Sequence, residues 1–127
     1  MSKADMGSDS LPAPVKRLRD AINSHDAARV ADCFTENYRC DVPMHPSRSF
    51  TGRDRVRENY QAIFARVPDL HATVLRSCEG GSDVWSEWEM SGTAVDGSPN
   101  ASAGVAIILS VVGDRIEHTR FYLEPVD

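Results

Sequence analysis

Two residues of this chain have the types and spacing of proton-transfer chemistry: Asp41 and, four positions later, His45. An imidazole paired with a carboxylate suits general-base work near neutral pH, where the ring can take up and release a proton. The plain alternative is a solvated loop histidine, because His45 stands in PMHPSRSFTG, a proline-rich stretch over 43–52 that ends in glycine. Other chemistries have less to build on. His25, His45, His71 and His118 are scattered without an i, i+4 pair on a helix, so no metal site is expected. No GxGxxG or GxxxxGK run occurs, and no cofactor is expected. Cys33, Cys40 and Cys78 are odd in number and lack CxxC spacing, which fits buried or idle thiols in a reducing compartment better than a disulfide framework. Arg48, Arg53, Arg55 and Arg57 cluster around a helix start and read as a solvated face balanced by Asp54 and Glu58, with a bound anion as the alternative.

The elements that must position these groups follow from periodicity. With 127 residues, 41% hydrophobic content and a net charge of −5, the chain has the size and composition of one soluble globular domain. Its acidic balance argues against a nucleic-acid partner. No apolar run reaches the roughly 20 residues of a membrane span, and the N-terminus lacks a signal-peptide pattern, so a cytoplasmic protein is expected. Residues 1–14 read as a loose arm and 15–127 as the domain. Val15, Leu18 and Ile22 recur at helical spacing. Asp26 is the expected N-cap of a second short helix with Val30, Ala31 and Phe34 on its inner face, followed by a short strand over 38–42. A third helix carries Val56, Tyr60, Ile63, Phe64 and Val67 inward and stops at Pro68. Turn signals at Gly80-Gly81, Asp96-Gly97 and Gly113-Asp114 then divide the rest into strands over about 70–79, 83–94, 101–112 and 115–124, an antiparallel meander. Strands this long must twist, and the expected fold is α+β: three N-terminal helices packed on the concave face of a strongly curved, mainly antiparallel sheet, a cone-like barrel. Helices across a curled sheet leave an apolar pocket as a by-product.

Three runs, AINSHDAARVADCFTENYRCDVP, TGRDRVRENYQAIF and GDRIEHTRFYLEP, together resemble the SnoaL-like branch of the nuclear transport factor 2 superfamily over about residues 15–125. The resemblance implies a conical α+β fold, a homodimer through the outer sheet face, and relatives that include ketosteroid isomerases, polyketide cyclases, limonene epoxide hydrolases and non-catalytic binders. It also places His45 near the pocket mouth. The isomerase base then falls on Val42, one residue after Asp41, its tyrosine on Leu18 and its acid near Ala106 or Ile107. The epoxide hydrolase arginine and aspartate fall on Trp88 and Met90, and the acid of the last strand on Phe121. Hydrocarbon thus stands at the positions that the known chemistries need.

Alternation assigns the faces. The expected cavity lining is Leu18, Ile22, Phe34, Tyr60 and Phe64 from the helices, with Trp88, Met90, Val105, Ile107, Thr119, Phe121 and Leu123 from the sheet. Tyr60 is either core or a hydroxyl donor to a ligand carbonyl. Trp85, Glu87, Glu89, His118, Arg120 and Tyr122 fall on the outer face, a composition that suits a dimer interface, with Glu87 or Glu89 able to pair with Arg120 or His118. For residues 38–42, Arg39 and Asp41 share one face and Tyr38, Cys40 and Val42 the other, and alternation alone does not say which meets the cavity. Two readings of function follow. One is a lyase, isomerase or hydrolase using Asp41 and His45 on a small polyketide-, steroid- or terpenoid-like molecule. The other is a non-catalytic binder or dimeric interaction module.

Overall fold

Apolar residues at helical spacing fold as expected into α1 (Ala13–Asn23), which buries Val15, Leu18, Ala21 and Ile22. The computed structural model describes residues 11–97 and 102–126. Order begins before the expected domain boundary at residue 15: Leu11 is buried and α1 starts at Ala13, so part of the expected arm belongs to the fold, and residues 1–10 lie outside the described residues. Asp26 caps α2 (Ala27–Ala31), its carboxylate accepting from the N–H groups of Ala28 and Arg29 at 3.0 and 3.3 Å. The helix expected to reach Phe34 stops at Ala31, because Ile116 donates its N–H to the Cys33 carbonyl at 2.9 Å and Phe34 pairs with Ile116. Sheet pairing wins over extension of a one-turn helix, and Phe34 instead opens β1 (Phe34–Asp41), longer than the expected short strand.

The loop after β1 holds a 3-10 turn (Pro46–Arg48) and a two-residue strand, β2 (Phe50–Thr51), that periodicity does not mark. Gly52 then adopts φ +100°, a region that side chains disfavour, and launches α3 (Arg53–Arg66). The meander follows as β3 (His71–Gly80), β4 (Asp83–Ser91), β5 (Ala103–Val112) and β6 (Arg115–Pro125). β4 ends short of residue 94 because Gly92 presses on the α3–β3 connection: a Cβ there would lie 2.4 Å from Val67 Cγ1 and 3.2 Å from Leu70 Cα.

The six strands form one sheet in the order β2-β1-β6-β5-β4-β3, antiparallel except for the parallel pair β1 and β6. Three helices pack with this curved sheet, an α+β fold, but the sheet is not closed, so the cone-like barrel is open between β2 and β3. Register shifts at Val74/Arg76 and Ser110/Val111 mark irregularities of the kind that bends strands. Alternation along β4 is regular, with Val84, Ser86, Trp88 and Met90 buried and Trp85, Glu87 and Glu89 exposed. The pairing of Glu87 or Glu89 with Arg120 or His118, expected on a dimer face, is not one that a single chain makes for Glu87. Glu87 lies across from Arg76 on neighbouring β3 and pairs with it at 3.1 Å, whereas β6 is separated from β4 by β5. Among the described residues no helix is long and apolar enough to cross a membrane.

Side chains of the α1–α2 corner pair with the first residues of the open β3 edge. Asn23 donates from Nδ2 to the Ala72 carbonyl at 3.0 Å and accepts from the Ala72 N–H at 2.8 Å, so one amide replaces a missing strand. His25, at φ 58°, sets Nε2 2.6 Å from the Leu70 carbonyl and its ring edge-on to Phe64. Removing the Asn23 amide leaves both Ala72 groups unpaired at a half-buried edge. Asn23→Ala is expected to lose about 1–3 kcal/mol in urea unfolding, against less than about 0.5 kcal/mol for the exposed Glu36→Ala.

Candidate functional site

The site is built where β1 meets β6. Strand alternation turns Tyr38 and Cys40 to the inner face of the sheet, and the parallel register sets Cys40 beside Thr119. The inward row of β6 continues with Phe121 and Leu123, and α3 lies over β1 with Val56, Tyr60 and Ile63 facing it. Between these walls is a cavity of about 230 Å³, closed further by Leu18 of α1, Phe34 of β1 and Ile107 of β5. Val42, His45, Arg48 and Phe50 line it from the loop side, and Asn59 from α3. Aromatic rings make much of one wall: Tyr38 packs against Phe34 at 4.4 Å and Phe50 at 5.9 Å between ring centres, and Tyr60 against Phe64 at 5.6 Å.

Its polar groups are few. The Tyr38 hydroxyl and the Thr119 Oγ1 lie 2.5 Å apart in a hydrogen bond that either can donate. Burial drives the Tyr38 phenol far above its ordinary value, with the neighbouring Cys40 adding to the rise and the bond to Thr119 opposing it. Burial also raises the Tyr60 phenol, and the nearby Cys40 and Cys33 add to the rise. Both phenols are therefore neutral hydrogen-bonding groups rather than bases. No Asp or Glu lines the cavity among the described residues.

Asp41 and His45 are not brought together. Asp41 falls on the outer face, where its carboxylate lies 2.8 Å from His118 Nε2 and 3.0 Å from an Arg39 guanidinium nitrogen. The hydrogen bond from His118 is the largest reason that its carboxyl is held below the usual range, and it outweighs partial burial, with Arg39 adding to it. The imidazole–carboxylate pair that Asp41 makes is thus with a histidine two strand positions from its β6 partner Arg120, not with one in its own loop. After β1 the chain turns, with the His45 N–H on the Val42 carbonyl at 3.0 Å, and His45 ends on the cavity side.

Of the residues expected to line the cavity, Leu18, Phe34, Tyr60, Ile107, Thr119, Phe121 and Leu123 do so, whereas Ile22, Phe64, Trp88, Met90 and Val105 do not. α1 packs on β3, so the inward residues on that half of the sheet are used in the core, while α3 packs on β1 and leaves the space beneath it unfilled. Trp88 is wholly buried, and its ring N–H is satisfied by Ser86 Oγ at 2.8 Å, which in turn donates to the Ile107 carbonyl at 2.9 Å. Tyr38, Cys40 and Val42, on the strand face that alternation alone does not assign, also line the cavity. Their more apolar character against Arg39 and Asp41 was the available signal. Arg48, Phe50 and Asn59 come from segments read as loop or solvated helix face. Trp85, Glu87, Glu89, His118, Arg120 and Tyr122 lie together on the outer side, with Trp85 52% exposed and Arg120 donating to the Tyr122 hydroxyl at 3.2 Å.

Known proteins agree with this architecture. An LEH-like epoxide hydrolase of M. tuberculosis is 17% identical, with a TM-score of 0.72 over 87% of this chain and 80% of that one. A protein of Catenulispora acidiphila with a ketosteroid isomerase-like fold, solved in complex with trimethylamine, superposes with a TM-score of 0.78 at 17% identity, covering 87% of this chain and 85% of that one. A nuclear transport factor 2-like protein of Anabaena variabilis, 20% identical, gives 0.73 over 90% and 85% of the two chains. At these identities the likeness is one of fold. No protein of curated function matches the chain. Residues 15–119 match the SnoaL-like domain, which is most of the chain, and the protein therefore belongs to the SnoaL-like domain family.

Proposed function

We propose that the protein binds a compact, mainly apolar molecule of polyketide, steroid or terpenoid character in the cavity between α3 and β6, and that His45 is the group that moves a proton there in a lyase, isomerase or hydrolase step. The supporting observation is the cavity itself, whose walls are hydrocarbon and aromatic rings with a few hydrogen-bonding groups among them. Such a lining is that of a small-molecule site, and about 230 Å³ lies below the roughly 300–1,000 Å³ of pockets for drug-sized ligands, which favours the smaller members of these classes. His45 takes the proton-transfer role because it lines the cavity and Asp41 is engaged on the opposite face. A second reading, a binder without catalysis, is favoured by the lack of any lining carboxylate among the described residues.

Since Trp88 does not line the cavity, its fluorescence is a poor reporter, and thermal shift is the better assay. A panel of neutral ligands such as a monoterpenoid ketone, an aromatic lactone and a steroid ketone is expected to contain at least one that raises Tm, by up to about 2.7 kcal/mol of stabilisation at a hundredfold excess over Kd. Ile63→Trp fills the cavity from α3 and abolishes the rise. A panel that leaves Tm unmoved defeats the reading. Where a ligand is turned over, His45→Gln loses about 100-fold or more in kcat while the Tm rise persists, and binding without turnover selects the second reading.

Asp41 takes a structural part in this scheme. Because its folded pKa is depressed, its contribution to stability is present above the unfolded value near 3.8 and is lost as pH falls through the lower folded value. Asp41→Asn is expected to be less stable than the parent by up to about 1 kcal/mol at pH 7, with the gap closing below about pH 4, and to leave the ligand-induced Tm rise intact.

We also infer that the outer sheet face pairs two copies of the chain. Trp85 is half exposed beside Ile108, and Tyr122 flanks Ala106, so aromatic rings border a strip of small and apolar residues on β5, as in interface cores. Sedimentation is expected to give a dimer that Trp85→Glu shifts to monomer. A parent chain that sediments as a monomer over the micromolar range counts against it.

A further inference from the structure

The cavity has a charge at its rim that no group among the described residues answers. Arg48 ends the 3-10 turn after β1, is exposed, and lines the cavity together with His45 and Asn59. Its guanidinium makes no hydrogen bond or ion pair among the described residues. That sets it apart from Arg39, Arg76 and Arg115, each of which lies 3.0–3.1 Å from a carboxylate of the same chain. Among the described residues the rest of the lining supplies no neutralising group, since its other titratable side chains are His45, Cys40 and the phenols of Tyr38 and Tyr60. A cation beside apolar walls attracts an anion more strongly than one surrounded by solvent on every side. A guanidinium is moreover shaped to hold a carboxylate through two parallel N–H···O bonds.

We propose that the natural ligand is a small apolar carboxylic acid, bound as its carboxylate, with the head group on Arg48 and the hydrocarbon body between α3 and β6. This rests on the apolar cavity being the binding site, and it adds the chemical class of the molecule and its orientation. Asn59 also lines the cavity, from α3, and its side-chain amide offers a further N–H to a polar head group. Thr119 and Tyr38 already bond one another, so they leave the inner part of the cavity without a strong demand for a charged partner. The carboxylate therefore sits outward and the hydrocarbon inward, the order that keeps the charge partly hydrated and buries the body. The cation at the rim also acts on encounter, raising the association rate of anions over matched neutral molecules at low salt.

The test uses the full chain and a matched pair of probes, octanoate and octanamide, measured by calorimetry at low and high salt. Octanoate is expected to bind about tenfold or more tighter than octanamide at low salt, with the preference shrinking as salt screens the exposed guanidinium. Arg48→Gln, at an exposed position whose side chain holds nothing else in the fold, is expected to bring the two probes within about threefold by weakening octanoate alone, and Arg48→Lys to keep part of the preference as a charge without the planar fork. Equal binding of the two probes by the parent chain, or a preference that survives Arg48→Gln, overturns the proposal while leaving the apolar site intact. Octanoate binding that survives Ile63→Trp places the acid outside the cavity and also overturns it. Failure of both probes to bind overturns this proposal together with the cavity reading beneath it.

Discussion

The parallel pairing of β1 with β6 is the contact on which the rest of the site depends. It sets Cys40 beside Thr119 and Asp41 beside Arg120 in a sheet whose other pairs are antiparallel. Because side chains alternate at a period of two, that register divides the strand: Tyr38 and Cys40 go to the cavity, Arg39 and Asp41 to the outer surface. A slip of one residue would bury Asp41 without His118 and expose Tyr38 without Thr119. Both pairs, the short Tyr38–Thr119 bond inside and the Asp41–His118–Arg39 cluster outside, span the same two strands, so they resist that slip from opposite faces.

A parallel pair cannot be joined by a tight turn, and the long connection from β1 to β6 is what supplies the other walls. Leaving β1, the chain crosses the inner face to reach β3 at the far edge of the sheet, and returns to β6 through the meander. The loop and α3 are that crossing, and they carry His45, Arg48, Asn59, Tyr60 and Ile63 over β1 and β6. α1 takes the other half of the sheet, and Asn23 anchors it to the β3 edge. The division explains why the space is one-sided. Over β3 and β4 the inward Trp88 and Met90 meet a helix with a fully buried stripe, whereas α3 fully buries only Val56 and turns half-buried rings toward β1.

Much of this was legible beforehand because it depends on local chemistry. The three turn signals delimit β3 to β6 to within a few residues, Asp26 marks the start of α2, and the period of α3 picks out Val56, Tyr60 and Ile63. What local chemistry could not show is where a short segment finds its partner. Phe34 fits a helical stripe as well as a strand, and only the Ile116 pairing decides for the strand. β2 is two residues long and exists through its contact with Arg39 and Cys40, so it leaves no periodicity to read. The same limit applies to Asp41 and His45. Four residues apart, they are neighbours on a helix but not across a strand end and a turn, and the partner that Asp41 does find, His118, is 77 positions away in the chain.

The displacement of Asp41 bears on what kind of chemistry the cavity can hold. A carboxylate in a space of this character, lined by Phe34, Phe50 and Phe121, would have its pKa raised by burial and would become a usable base or acid. On the outer face the same side chain is pulled the other way by His118 and Arg39 and is an ion-pair acceptor over the whole neutral range. Val42, next in sequence, takes the cavity side instead. One position along the strand therefore separates a protein with an internal carboxylate from one whose titratable lining groups, among the described residues, are an imidazole, a guanidinium, a thiol and two phenols. The lining thus holds no carboxyl group, charged or neutral, among the described residues, and its one permanently charged side chain is Arg48.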